Sequence, residues 1–128
     1  VLVRDTDLSH IAESGDRINA RVSKRLLMSI FNVKSPLHDG AVLLQHGEII
    51  AARTVLPVSD DPDIPPELGL RHRSALGITE VSDAGAIVAS EETGKVAVAL
   101  AGRLKRNLSE EELRQFLLRF YSDDKDVL

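Results

Sequence analysis

The spacing of apolar residues along this chain changes several times, and each change marks an element. Val1-Leu2-Val3 opens as a short strand-like stub, and residues 4–14 are polar and turn-rich. Val22, Leu26 and Ile30 recur at i, i+4 and i+8, with Leu27 and Phe31 beside them. That spacing predicts a helix over residues 20–31, capped by Asn19 and unable to continue past Pro36. Residues 41–44 form an apolar run, His46-Gly47 a turn, and residues 48–56 a second strand, together a hairpin. Pro57, Pro62, Pro65, Pro66 and Gly69 make residues 57–70 a long loop, and long ordered loops are often functional. Residues 71–80 predict a short helix despite Gly77, with Ala75, Leu76 and Thr79 along it. Residues 84–89 and 95–100 are β-rich, joined through a hairpin turn at Ser90-Glu91-Glu92-Thr93-Gly94. Ser109-Glu110-Glu111-Glu112 is a capping box, and Leu113, Phe116, Leu117 and Phe120 behind it form a core-facing stripe. Residues 123–128 read as an acidic, frayed tail.

Helices interleaved with strands and two hairpins predict an α/β fold: a single domain over residues 1–122, with a mixed β-sheet flanked by helices. The 128 residues suit one domain. Phe31, Phe116, Phe120 and Tyr121 are the only aromatics, so aliphatic side chains must fill the core. There is no cysteine, which excludes a disulfide framework and thiolate chemistry. A formal charge of −4 with few stacking aromatics argues against nucleic acid as a partner. The remaining basic cluster, Arg103, Lys105 and Arg106, reads as a solvated loop near a turn. No apolar stretch approaches the ~20 residues that span a bilayer, and no signal peptide is visible, so this segment itself predicts no membrane contact. The abrupt apolar start without Met predicts a piece of a longer protein, with room upstream for a membrane anchor.

Three strings carry candidate chemistry. In Leu37-His38-Asp39-Gly40-Ala41 a carboxylate and an imidazole stand beside a glycine, where backbone can approach a ligand closely. Asp-Gly is also a common turn dipeptide, but Lys34-Ser35-Pro36 before it is not strand-like. His38 and Asp39 suit a divalent cation, hard through the carboxylate and borderline through the imidazole. Leu70-Arg71-His72-Arg73 places two guanidinium groups at a helix start, where they oppose the macrodipole unless an anion binds there. On an ideal helix Arg71 and Arg73 lie about 200° apart, so one is expected to reach phosphate while the other orders the loop. In the third string, Ser90 and Thr93 can bind phosphate, provided a metal or an arginine offsets Glu91 and Glu92. No Gly-x-x-x-x-Gly-Lys-Ser/Thr loop, Gly-x-Gly-x-x-Gly fingerprint or nucleophile elbow is present.

Taken in order, these strings resemble the diadenylate cyclase (DAC) domain family, which condenses two ATP into cyclic di-AMP. Asp39-Gly40-Ala41 matches the family's Asp-Gly-Ala motif, Arg71-His72-Arg73 its Arg-His-Arg motif, and Ser90-Glu91-Glu92-Thr93-Gly94 its third string. The resemblance runs from about residue 1 to residue 120 and favours the membrane-anchored type over the DNA-scanning type. It implies Asp39, Arg71, His72 and Arg73 as catalytic residues. It implies that Gly40, Ala41, Val55, Leu56, Leu70, Arg71, Arg73, Ser90, Glu91 and Thr93 bind nucleotide. His38, Asp39 and Glu92 would serve a divalent metal, Mn or Mg, with Co as a further option. Two positions depart from the pattern: Val55 stands where an aromatic often stacks on adenine, and Leu70 where threonine often bonds phosphate.

The resemblance implies adenylyl transfer across a face-to-face homodimer, with two pyrophosphates released, in a cytoplasmic domain of a membrane-anchored bacterial parent. A catalytically silent module that binds ATP or cyclic di-AMP is the alternative. A metal-dependent phosphohydrolase is a further rival, and it needs a denser set of Asp and His ligands.

Overall fold

The computed structural model describes residues 1–122, so the tail read at 123–128 lies outside the described residues. The chain divides into two compact units, Val1–Pro57 and Val58–Leu128. The α/β expectation holds, and the strands group into two three-stranded sheets.

The first unit contains α1 (Ser9–Glu13), β1 (Asp16–Arg21), α2 (Lys24–Ile30), β2 (Ala41–Gln45) and β3 (Glu48–Thr54). β3 is the central strand, antiparallel to β1 on one side and to β2 on the other. Its central place explains why Ile49, Ala51, Ala52 and Thr54 are all buried. The Val1–Val3 stub adds a parallel bridge between Leu2 and Leu44. The Val3 N–H donates to the Leu44 carbonyl at 2.9 Å and the Leu44 N–H to the Val1 carbonyl at 2.8 Å. This bridge gives an otherwise antiparallel sheet its mixed character. Ile30, Val42, Ile49 and Ala52 form the core, with Ile18, Val22, Leu26, Leu27, Leu37 and Leu44 packed around it.

The helix expected over residues 20–31 is corrected. Residues 20 and 21 end β1, and the helix begins at Lys24. Ser23, not Asn19, is the cap, its Oγ accepting the Leu26 N–H at 3.1 Å. Val22, Leu26, Leu27 and Ile30 do face one core, so the i, i+4 spacing was real, but its first member lies ahead of the cap. Asn19 instead takes φ +51° beside a bulge in β1, a conformation asparagine tolerates better than most residues. The turn-rich reading of residues 4–14 missed the five-residue α1, which has no side-chain cap to announce it.

The second unit contains α3 (Leu70–Glu80), β4 (Gly85–Ala89), β5 (Val96–Leu100), β6 (Arg103–Leu108) and α4 (Glu110–Tyr121). The strands run β4-β5-β6, each antiparallel to its neighbour. Residues 57–69 are loop, as expected. The basic cluster read as a solvated loop is instead the edge strand β6, where Arg103, Lys105 and Arg106 are exposed. Charged side chains on an edge discourage pairing with other chains. α4 carries the expected capping box: Ser109 Oγ accepts the Glu112 N–H at 3.1 Å, and Glu112 Oε1 accepts the Ser109 N–H at 3.0 Å. Phe116 and Phe120 are buried from its apolar face, and a Cβ on Gly85 would stand 2.7 Å from the Phe120 ring. Among the described residues, no helix is long and apolar enough to cross a membrane.

Candidate functional site

In the first unit, Asp39 and Gly40 lie in the bend that feeds β2, which begins at Ala41. Backbone contact fixes this bend. Gly40 takes φ +137°, and a Cβ there would stand 2.8 Å from both Cα and C of Arg53 and 2.9 Å from the Thr54 oxygen. Glycine is therefore required twice, for its conformation and for its size. Thr54 Oγ1 donates to the Ala41 carbonyl at 2.8 Å and locks the other side of the motif. The Asp39 carboxylate is exposed and forms no hydrogen bond or ion pair among the described residues. His38 is half-buried, and its Nδ1 lies 2.7 Å from the Ser35 carbonyl oxygen. A carbonyl only accepts, so Nδ1 carries the proton and the neutral ring keeps its lone pair on Nε2. This is how a metal-binding histidine is usually oriented. Past β3, Val55 is 69% exposed and held through its N–H, which donates to Ser14 Oγ at 2.8 Å. Leu56 is half-buried.

In the second unit, Arg71, His72 and Arg73 sit on the first turn of α3. Its cap, Gly69, makes no side-chain hydrogen bond, and the first turn holds no acidic residue. The leading N–H groups of this 11-residue helix are thus left without a side-chain acceptor. Arg71 reaches the third string: its Nε lies 2.9 Å from Glu91 Oε1, and Nη1 donates to the Ala89 carbonyl at 3.2 Å. An arginine therefore does offset one of the two carboxylates there. The turn holds its own shape, with Ser90 Oγ accepting the Thr93 N–H at 3.3 Å and Thr93 Oγ1 the Lys95 N–H at 3.2 Å. Both hydroxyl protons are left to donate elsewhere. Arg73 is half-buried, and its side chain forms no hydrogen bond or ion pair among the described residues. Its backbone carbonyl accepts the Ser59 N–H at 2.9 Å, which ties the loop at Ser59 to α3. His72 is buried at 7% exposure. Burial, then the charges of Arg106 and Arg71, push its pKa below the ordinary histidine range, so it is neutral at pH 7. Leu70 and Glu92 are exposed.

Sequence reasoning missed two basic residues beside these strings. Arg106 on β6 pairs with Glu67 of the long loop, Nη1 to Oε1 at 3.2 Å, and its charge reaches His72. Leu104 and Leu108, half-buried on the same strand, were the available signal for that strand. Arg53 near the end of β3 pairs with Asp16, Nε to Oδ2 at 2.9 Å. That hydrogen bond and charge, with a smaller contribution from Asp39, raise the Arg53 pKa above its ordinary value. Nothing in the sequence distinguished Arg53 from other surface arginines.

The family described as DisA bacterial checkpoint controller nucleotide-binding, abbreviated DAC, matches residues 1–104. The chain belongs to the DAC family. Its relatives include the cyclic di-AMP synthase CdaA of Bacillus subtilis, 51% identical over 89% of this chain and 42% of that protein. A diadenylate cyclase of Listeria monocytogenes is 48% identical over 92% of this chain and 43% of its own length. The chain thus spans less than half the length of these curated relatives. Among solved structures, a cysteine double mutant of DacA from Staphylococcus aureus superposes with a TM-score of 0.91 at 41% identity, covering 94% of this chain and 80% of that one. A protein from Bacillus cereus, titled a hypothetical membrane spanning protein, superposes with a TM-score of 0.80 at 42% identity, covering 84% of this chain and 53% of that one. The DAC fold is therefore present across both units.

Proposed function

We propose that this chain is the catalytic domain of a diadenylate cyclase, condensing two ATP into cyclic di-AMP with release of two pyrophosphates. The observation that carries this reading is the Arg71–Glu91 pairing, which joins the Arg-His-Arg helix start to the Ser-Glu-Glu-Thr-Gly turn. The pairing makes one anion-facing assembly from two of the three strings. The Asp-Gly-Ala string keeps its Asp39 carboxylate without a hydrogen bond or ion pair among the described residues, and relatives over most of this chain are named diadenylate cyclase or cyclic di-AMP synthase.

The 3′-oxygen of one ATP forms a bond to the α-phosphorus of the other. The bond from that phosphorus to its bridging oxygen breaks, and pyrophosphate leaves with the electron pair. Repeating the step in the opposite sense closes the ring. Positioning and charge neutralisation carry most of such catalysis. Asp39 takes the hydroxyl proton or holds the metal, and Gly40 and Ala41 let backbone approach the nucleotide. Val55 and Leu56 line the base. Arg73 and the leading N–H groups of α3, which begins at Leu70, bind phosphate oxygens, and Arg71 orders the Ser90–Gly94 turn that completes their surroundings. His72, neutral and buried, contributes packing rather than charge.

The residues fit a divalent cation at His38 Nε2 and the Asp39 carboxylate. Among the described residues, no group of three or more His, Cys, Asp or Glu could hold a metal alone. Substrate phosphates would complete the shell, as is usual for Mg²⁺ and similar ions at nucleotide sites. When bound, the ion neutralises phosphate charge and lowers the pKa of the attacking hydroxyl.

One chain carries one copy of each string, whereas the product joins two nucleotides. The competent species is therefore a face-to-face homodimer with closed two-fold symmetry. A membrane-anchored bacterial parent, with this domain in the cytoplasm, completes the reading. Incubation with ATP and Mn²⁺, followed by chromatography, tests it. Cyclic di-AMP is expected, whereas bound but unchanged ATP would mark a silent module, and ADP or AMP a hydrolase.

A further inference from the structure

Arg53 occupies a place in the backbone where glycine is the usual choice. Thr54 pairs with Ala41, and Ala51 with Leu43, so Ala52 and Arg53 together oppose Val42. This is a β-bulge, and Arg53 takes φ +54° within it. Bulges of this kind normally place glycine in the left-handed conformation, and they re-aim side chains near active sites. Two glycines clamp the bulge. A Cβ on Gly15 would collide with the Ala52 carbonyl oxygen, and one on Gly40 would stand 2.8 Å from Arg53 Cα. Arg53 is thus pressed against the residue next to Asp39.

The side chain is held as well. Asp16 Oδ2 accepts from Nε at 2.9 Å, while the guanidinium remains half exposed in the field of Asp39. Asp16 occupies Nε only, so both Nη groups remain free to donate. ATP carries about four negative charges and must approach a bend that already holds the Asp39 carboxylate. A cation there, fixed by a second acid and aimed by a bulge, offsets that repulsion.

We propose that Arg53 is an additional phosphate-binding residue of the Asp39 site, its Nη edge taking a phosphate oxygen of the nucleotide brought to Asp39. This rests on the diadenylate cyclase reading. The strained backbone is the cost of keeping an arginine where glycine fits, and phosphate binding is what the side chain returns.

The test compares Arg53→Gly and Arg53→Lys with the unaltered protein. Glycine suits φ +54°, so Arg53→Gly is expected to fold with an unchanged or higher melting temperature. Its Kd for ATP, measured by calorimetry without turnover, should rise about tenfold, the scale of one charged hydrogen bond. KM should rise with it more than kcat falls. Arg53→Lys, which keeps the charge, should recover most of the binding. A well-folded Arg53→Gly protein with unchanged Kd and KM would overturn the assignment. So would an Arg53→Lys protein as impaired as Arg53→Gly, because the retained charge would then contribute nothing to phosphate binding. The two readings fail separately. Unaltered protein that binds ATP but forms no cyclic di-AMP removes the cyclase reading, while the calorimetric comparison still decides Arg53.

Discussion

At the residue scale, a few positions set what this surface can do, and Gly40 is the most constrained of them. Its φ of +137° and the 2.8 Å approach of the Arg53 backbone leave no room for a side chain. Gly40→Ala must therefore shift β3 or the bend that carries Asp39. The expected loss of stability is at least ~2 kcal/mol, from a strained conformation and a steric clash together. Denaturant melts of Gly40→Ala and Gly47→Ala compare like with like. Gly47 also has positive φ, but a Cβ there meets nothing within 4 Å. The Gly47 change should cost less, and equal losses would mean that conformation alone, not the close approach to Arg53, fixes the bend. His38 offers a subtler constraint: its Nδ1 contact with Ser35 selects which nitrogen remains for a ligand.

At the element scale, the start of α3 is the feature with most chemistry. Cations at a helix N-terminus are unfavourable without an anion, and this terminus has two arginines, no acid in its first turn and a glycine cap with no side chain to accept its leading N–H groups. Arg71→Ala or Arg73→Ala should weaken ATP handling by roughly 10–100-fold, from ~1.5–3 kcal/mol per charged hydrogen bond. Ser74→Ala, on the same turn without a bonded side chain, should matter far less in the same KM and kcat measurements. If Ser74→Ala proved as damaging as both arginine changes, α3 would not be the anion site. The sequence made α3, α4 and both hairpins legible because each carries a local signal: a capping box, a turn dipeptide or a run bounded by Gly and Pro. β1 and β6 were not legible. In β1, Ile18 and Ala20 alternate with charged and polar residues over too few positions to outweigh the helical spacing that follows. In β6, the Arg-Leu-Lys-Arg-Asn-Leu run is charged as an exposed edge strand tends to be, so composition pointed to a loop. The motif residues were legible as strings, yet Arg53 and Arg106 were not, because tertiary pairing with Asp16 and Glu67 selects them.

At the scale of the whole molecule, the account depends on two copies acting together. In the proposed function each chain brings one triphosphate, so the second ATP comes with another chain. Rate per enzyme should therefore climb with protein concentration until dimerisation saturates, and stay low far below the dimer constant. A rate per enzyme that is flat across that constant would refute the shared site. Within the proposed function, the Asp39 string carries the chemistry that makes cyclic di-AMP. Its most direct test is to quantify products by chromatography after ATP and a divalent metal are supplied, for the unaltered protein and for Asp39→Asn. The change removes a charge and preserves shape, so matched circular dichroism should show both proteins folded. The account predicts one cyclic di-AMP for every two pyrophosphates from the unaltered protein, and a loss of at least ~10²-fold for Asp39→Asn. Near-normal cyclic di-AMP production by folded Asp39→Asn protein would contradict it.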